Sequence, residues 1–281
     1  MTGLLVREFN FTDNHFSRIR QFVTAQTGIV LADEKKDMVY GRLSKRVRTA
    51  FGGSFDDFCA AITDGDLNEQ DFLINAITTN LTGFYREKHH FEYLSDRVIP
   101  ELLKRNKSTK KIRIWSAGCS TGEEPYSIAI TLREAIPQSE KWDIKILATD
   151  LDANVVAHGQ EGIYTLERIN SLDKQHQRKW FQLGKGDNVG LVRVKPELRE
   201  LVRFKRLNLL HEWPMNGPFD VIFCRNVVIY FDKETQSDLF ERYADMLIPG
   251  GYLFIGHSES LYKKTTRYTS LGNTIYKRIT Q

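Results

Sequence analysis

Cysteine is scarce in this chain: Cys59, Cys119 and Cys224 are the whole complement of 3 in 281 residues. They are odd in number, far apart and without a CxxC pair, which excludes a disulfide framework and offers no zinc-ligand set; reduced thiols are expected. Long apolar runs are missing as well. No stretch approaches the ~18 consecutive apolar residues of a membrane span, and the opening MTGLLVREFNF lacks a basic region followed by a long apolar one, so no membrane insertion and a cytosolic location are expected. Repeats and low-complexity tracts are absent. A strong excess of one charge is absent too: 40 basic residues against 36 acidic ones leave a net charge of +4. The isoelectric point of 8.8 leans toward acidic partners, whether nucleic acid, anionic lipid or an acidic protein surface, and sign alone does not choose among them.

What is present suggests about two domains by the rule of ~150 residues each. The first eighty residues show apolar positions at helical spacing over Asn14–Thr27, Glu34–Ala50, Phe55–Ile62 and Asn68–Thr78, which predicts a small helical domain. In the second of these, Val39, Leu43, Val47 and Ala50 fall on one side at 100° per residue, while Lys35, Arg42, Lys45 and Arg48 fall largely opposite. One face packs and the other projects positive charge.

From Ile112 onward apolar runs alternate with amphipathic stretches, the pattern of a parallel sheet covered by helices. Strands are expected at Ile112–Ser116, Ile144–Thr149, Phe219–Cys224 and Tyr252–Gly256, and helices at Glu123–Ala135, Ala153–His158 and Lys233–Leu247, the last closed by Pro249-Gly250-Gly251. Tyr268–Ser270 and Thr274–Ile279, around Gly272-Asn273, read as an antiparallel finish. Between Lys174 and Leu207 a helix, the loop Gly184–Gly190 and the short runs Leu191–Val194 and Leu201–Leu207 break the alternation and predict a small β excursion inserted in the larger domain.

The most informative segment is Trp115-Ser-Ala-Gly-Cys-Ser-Thr-Gly-Glu-Glu-Pro-Tyr126. A buried strand runs through a glycine loop into a helix that opens with acid. Gly118 and Gly122 permit a tight turn, and Ser120 or Thr121 with Glu123 or Glu124 is expected to form an N-cap and capping box. Two carboxylates at a helix N-terminus repel a pyrophosphate and attract a cation, and the third glycine of a dinucleotide fingerprint is missing. S-adenosylmethionine, with a sulfonium and an ammonium but no phosphate, fits better.

In open α/β sheets ligands collect at the carboxyl ends of strands. Asp150, Asn208 and Arg225-Asn226 stand there beside Gly118, and a carboxylate at Asp150 can take both hydroxyls of a ribose. Thr78-Thr-Asn-Leu-Thr-Gly-Phe-Tyr-Arg-Glu87 is an unusual run of hydroxyls and amides ending in a fixed cation, Arg86. His89-His90 point about 100° apart on a helix and are expected on a solvated surface. Cys224 is expected to be a buried structural thiol, and His257-Ser-Glu-Ser260 follows a strand end without its spacing forcing a role.

Taken in order, TTNLTGFYRE, SAGCSTGEEPYS, ATDLD, RLNLL, FDVIFCRNVVIYFD and PGGYLFIGHSES resemble the chemotaxis receptor methyltransferases of the CheR family over nearly the whole chain. The resemblance implies a class I S-adenosylmethionine methyltransferase domain of α/β, Rossmann-like fold at 96–281, with a small antiparallel β-subdomain inserted at about 162–206. An all-α domain at 1–80 and a linker at 81–95 precede it. It further implies methyl transfer to glutamate side chains of methyl-accepting chemotaxis receptors, leaving S-adenosylhomocysteine. Asn80, Thr82, Arg86, Gly118, Glu123, Asp150, Asn208, Leu209, Arg225 and Asn226 are then implied cofactor contacts, and Arg86 with Tyr230 orients the acceptor. Arg42, Lys45, Arg46 and Arg48 are implied to dock on acidic methylation helices, and the β-subdomain on a receptor's C-terminal tether peptide. The expected state is a monomer. A nucleic-acid methyltransferase would call for aromatic residues among the positive charges, and the basic helix has Tyr40 alone nearby; a binding module that keeps the fold without turnover is the other rival.

Overall fold

The computed structural model describes residues 7–137, 141–261 and 265–280. The chain divides into two compact units, Met1–Thr79 with Tyr230–Asp232, and Asn80–Ile229 with Lys233–Gln281. The segment expected as a linker, 81–95, belongs to the second unit.

The first unit is built from α1 (Asp13–Thr27), α2 (Lys36–Phe51), α3 (Phe55–Thr63) and α4 (Leu67–Ile77). Each start is chemically marked. Thr12 caps α1 in a reciprocal capping box with His15, Ser54 caps α3, and Asp66 accepts from the Asn68 and Glu69 amides of α4. Gly28 and Gly52 end α1 and α2 in the left-handed conformation. The apolar stripes meet in one core that includes Phe16, Val23, Val39, Leu43, Val47, Phe58 and Leu73.

The second unit starts with α5 (His89–Tyr93), which runs through one wide turn into α6 (Ile99–Arg105), then alternates β1 (Lys111–Ala117), α7 (Glu123–Ala135), β2 (Asp143–Asp150) and α8 (Ala153–Glu161). An insertion follows: β3 (Ile163–Thr165), α9 (Lys174–Trp180), β4 (Phe181–Leu183) and β5 (Leu191–Val194), then a short α10 (Pro196–Arg199). The main fold resumes with β6 (Val202–Arg206), β7 (Phe219–Cys224), α11 (Lys233–Met246), β8 (Leu247–Ile255), β9 (Tyr268–Gly272) and β10 (Ile275–Arg278). Seven strands form one sheet in the order β6-β2-β1-β7-β8-β10-β9, and three form a second, β3-β5-β4. Strands β6, β2, β1, β7 and β8 are parallel, whereas β10 runs antiparallel to both neighbours. β1 lies between β2 and β7, with Ile114 opposite Ile146 on one side and Val221 on the other, so the chain order reverses there. Ligands of such sheets bind at this reversal, outside the carboxyl ends.

Three expectations about the elements need correction. The run at Leu201–Leu207 is not part of the β excursion: β6 pairs in parallel with β2 as an edge of the large sheet, with Val202 and Phe204 buried and Arg203 and Lys205 exposed. The excursion therefore ends with β5 and does not extend to residue 206. Pro249-Gly250-Gly251 does not close α11 ahead of a strand; it lies inside β8, which starts at Leu247 opposite Phe219 and shifts register before Val221 pairs with Tyr252. The glycines absorb that irregularity, with Gly250 at φ 71°. The final hairpin turns at Asn273-Thr274, both with positive φ (49° and 58°), the signature of a type I′ turn. Among the described residues no helix is long and apolar enough to cross a membrane.

Candidate cofactor site

The loop from β1 to α7 is held open in a fixed shape by its own amides. Gly118 (φ 89°) and Cys119 donate to the Thr149 carbonyl at 2.8 and 2.9 Å, Ser120 donates its N–H to Asp150 Oδ2 at 2.8 Å, and Gly122 (φ 99°) donates to the Cys119 carbonyl at 3.0 Å. Gly122, not Ser120 or Thr121, is the N-cap, and it makes no side-chain cap. The expected capping box does not form because Ser120 is turned into the left-handed region at φ 47° and spends its hydroxyl on the Asn80 carbonyl (2.9 Å), while the Thr121 hydroxyl donates to Glu123 Oε2 (2.6 Å).

Both helix-opening acids are buried and already paired. Arg168 of the insertion lies 2.9 Å from Glu123, and Glu124 accepts from Arg225 at 3.0 Å and from Ser116 at 2.7 Å. The attraction of a sulfonium to free carboxylates at this helix, read from the sequence, therefore loses its basis: the protein supplies its own cations. The exclusion of a pyrophosphate survives for another reason. The amides of Gly118, Cys119, Ser120 and Gly122 are engaged by Thr149, Asp150 and Cys119 and are not offered to a phosphate.

Asp150, at the carboxyl end of β2, is half-buried. Its two oxygens accept one N–H each, from Ser120 at 2.8 Å and Asp152 at 3.1 Å. Burial pushes its carboxyl up to about 6 against the pull of those bonds. A carboxylate offers about four acceptor positions, so this donor set leaves room for the two hydroxyls of a ribose. The residues present fit an unphosphorylated nucleoside.

Four chain segments converge on this point. Asn80 Nδ2 donates to Asp152 Oδ2 at 2.8 Å, and the Thr82 carbonyl accepts from Arg168 at 3.3 Å. The Leu207 amide donates to the Asp150 carbonyl at 2.9 Å, which brings in the turn where Asn208 Oδ1 accepts from Leu210 N–H at 3.0 Å and Leu209 is buried. Val227, after β7, packs on Gly118. Arg86 donates to the Leu81 carbonyl at 2.7 Å, and its own carbonyl accepts from Arg225.

Arg225 is buried at 5% exposure; its two terminal nitrogens meet Glu124, Glu87 and that carbonyl, while its Nε has no hydrogen-bond partner. Glu87 was given no role in the sequence reading although it closes the unusual run of hydroxyls and amides from Thr78. Its carboxylate meets Arg225 (3.1 Å), Asn226 Nδ2 (3.3 Å) and His257 Nδ1 (2.9 Å). Burial raises its pKa, but those partners more than offset it and hold it at about 2. Glu259 was given no role either; it accepts four backbone N–H groups, as described below. The expected solvated pair His89-His90 is also corrected: His90 is fully buried, with Nε2 2.9 Å from the Asn273 carbonyl and 3.1 Å from Thr274 Oγ1. Burial, then the Arg225 charge, lowers its pKa to about 4, so it is neutral. Cys119 and Cys224 are buried with thiols raised well above their ordinary range by burial, which fits structural roles; the Tyr243 hydroxyl donates to Cys224 at 3.2 Å.

The remaining expected residues lie in the helical unit. Tyr230 groups there, its carbonyl accepting from Val30 N–H at 2.9 Å. Arg42 caps the end of α4, donating to the Ala76, Ile77 and Thr78 carbonyls at 2.9–3.0 Å. Arg46 clasps buried Glu69 through Nε and Nη2, one edge of its guanidinium, and Arg48 pairs with Glu8. Lys45 is exposed.

Two family descriptions match the chain: "CheR methyltransferase, all-alpha domain" over residues 14–78 and "CheR methyltransferase, SAM binding domain" over residues 80–277. "Chemotaxis protein methyltransferase 2" of Pseudomonas aeruginosa is 44% identical over 271 residues, covering 96% of this chain and 95% of the relative. The chemotaxis protein methyltransferases of Salmonella typhimurium and Escherichia coli are 43% and 42% identical, covering 97% and 94% of this chain and 92% and 91% of the relatives. With both family descriptions matched and this degree of likeness over 94–97% of its residues, the chain belongs to the CheR methyltransferase family.

Proposed function

We propose that this protein transfers the methyl group of S-adenosylmethionine to glutamate side chains of methyl-accepting chemotaxis receptors, forming γ-glutamyl methyl esters and S-adenosylhomocysteine, in sensory adaptation. The observation that carries it is Asp150: a half-buried carboxylate with one N–H on each oxygen, at the sheet's chain reversal, beside a glycine loop whose Gly118, Cys119, Ser120 and Gly122 amides are already engaged. The relatives' names supply the acceptor.

Asp150 holds the ribose. Asn80, Thr82, Gly118, Asn208, Leu209 and Asn226 line the remaining walls, while Glu123 and Arg225, spent on Arg168 and on Glu124 and Glu87, keep the loops in place. The bound cofactor supplies an electrophilic methyl carbon. A glutamate of ordinary pKa near ~4.3 is already ionised at neutral pH, so no side chain has to take a proton. What the protein contributes is alignment: Arg86 and Tyr230 orient the acceptor oxygen by hydrogen bonds that steer the carboxylate without neutralising it. Residues 1–80 serve docking, 81–95 frame the cofactor and 96–281 carry transfer. Because Arg42, Arg46 and Arg48 are each engaged inside the helical unit, by the end of α4, Glu69 and Glu8, exposed Lys45 carries most of the attraction to acidic methylation helices. The β-subdomain offers a receptor tether peptide the edge strand β4 and exposed Leu183 and Val189 around Gly186 and Gly190. We assign the protein to the cytoplasm, as a monomer with no nucleic-acid partner.

Incubation with methyl-labelled S-adenosylmethionine and receptor-containing membranes, followed by alkali, tests this. Volatile labelled methanol is expected; alkali-stable label, or none, overturns the reading.

A further inference from the structure

We infer that Glu259 is a positioning residue for methyl transfer, acting by fixing the loop 226–229 that follows β7; the inference rests on the function proposed above. Glu259 is 5% exposed. One carboxylate receives the amides of Asn226 (3.1 Å), Val227 (2.9 Å), Ile229 (3.3 Å) and Gly256 (2.5 Å), and its own amide returns to the Gly256 carbonyl at 2.9 Å. A loop leaving a central strand has no ladder partner for its N–H groups, and buried amides must find acceptors. Here they share one anion.

The consequence is geometric. Asn226 sits in the left-handed region at φ 58°, and a β-carbon on Gly256 would lie 2.4 Å from Asn226 Nδ2 and 2.7 Å from its N, so the loops after β7 and β8 are interlocked. Val227, held by Glu259 Oε1, presses in turn on Gly118 of the loop after β1. Arg225 precedes the clamped amides, which begin with that of Asn226, and the proposed acceptor-orienting Tyr230 follows Ile229 directly in the chain. A carboxylate spent on backbone amides thus sets where the loop of the site stands. A glutamine cannot replace it, because its amide nitrogen would confront N–H groups that need an acceptor.

The test uses Glu259→Gln in the full chain, with receptor membranes and S-adenosylhomocysteine as probes. Misplacement by about 1 Å at a reacting site costs about 10²-fold, so kcat should fall by about that factor while the affinity for S-adenosylhomocysteine, held chiefly by Asp150, changes by less than about tenfold. A kcat within about threefold of the parent overturns the inference, as does an equal loss of kcat and affinity, the mark of a merely structural brace. If the glutamine variant does not fold, Glu259→Asp, which keeps the charge on a shorter arm, should show a smaller kcat loss with affinity retained; a parent-like kcat there overturns the inference. Amide exchange separates this from the function itself. In the parent, the Asn226, Val227 and Ile229 amides should be protected like those of β7, and fast exchange overturns the clamp even where alkali releases no methanol and the proposed function has failed.

Discussion

A β-carbon on Gly118 would stand 2.2 Å from Cγ2 of Val227, so the loops after β1 and β7 approach more closely than any larger residue allows. Gly118 also needs its positive φ of 89°. Gly118→Ala should therefore destabilise by about 1–3 kcal/mol through backbone strain, with a comparable amount from overpacking. Urea unfolding of the variant checks this. A midpoint equal to the parent's would mean the two loops separate at little cost.

Asp150 sets a pH dependence on cofactor binding. Its carboxyl is pushed up to about 6 by burial, and ribose hydroxyls donate best to the ionised form, so binding favours loss of its proton. Affinity for S-adenosylhomocysteine should then be flat above pH 7 and weaken by up to about tenfold per pH unit below about 6. Asp150→Asn should bind more weakly and lose that dependence. Calorimetric titration across the range decides it.

Acid should loosen the fold in two windows. His90 is held neutral, its pKa lowered from 6.5 to about 4, so the unfolded chain binds the extra proton in between and stability falls as pH drops through that interval. The effect is at most roughly 3 kcal/mol. Glu87, lowered from 4.5 to about 2, contributes stability that is present above 4.5 and lost toward 2. His90→Gln should flatten the upper window and leave the lower one; denaturant midpoints from pH 7 to pH 3 measure both.

Arg42 and Lys45 should separate stability from docking. Arg42→Ala strips the α4 carbonyls of their donor and should lower the stability of the chain by about 1–2 kcal/mol. Lys45→Glu should leave the unfolding midpoint in place and raise the KM for receptor membranes. Equal behaviour of the two variants would contradict the division of labour.

Local chemistry made much of this fold readable. α7 begins and ends where periodicity and its opening acids put it, and β1, β2 and β7 follow from apolar runs that only a doubly covered sheet accommodates. β6 was misjudged because alternating Val202 and Phe204 look the same in a hairpin and at a parallel edge; the partner strand, β2, is remote in sequence. Local geometry was readable where it depends on a residue's own position: Gly118 takes the tight turn and Asp150 ends β2. The site was unreadable where function depends on a distant partner: nothing near Glu123 and Glu124 announces Arg168 and Arg225, nothing near His90 announces the turn at Asn273, and nothing near Glu259 announces the amides of the loop after β7.

The most direct measurement is calorimetric titration of S-adenosylhomocysteine into the parent chain and Asp150→Ala at pH 7.5. One site per chain is expected in the parent, with affinity reduced at least about tenfold in the variant, as befits loss of charged hydrogen bonds of about 1.5–3 kcal/mol. No binding to the parent, or equal affinity in both, would contradict the account.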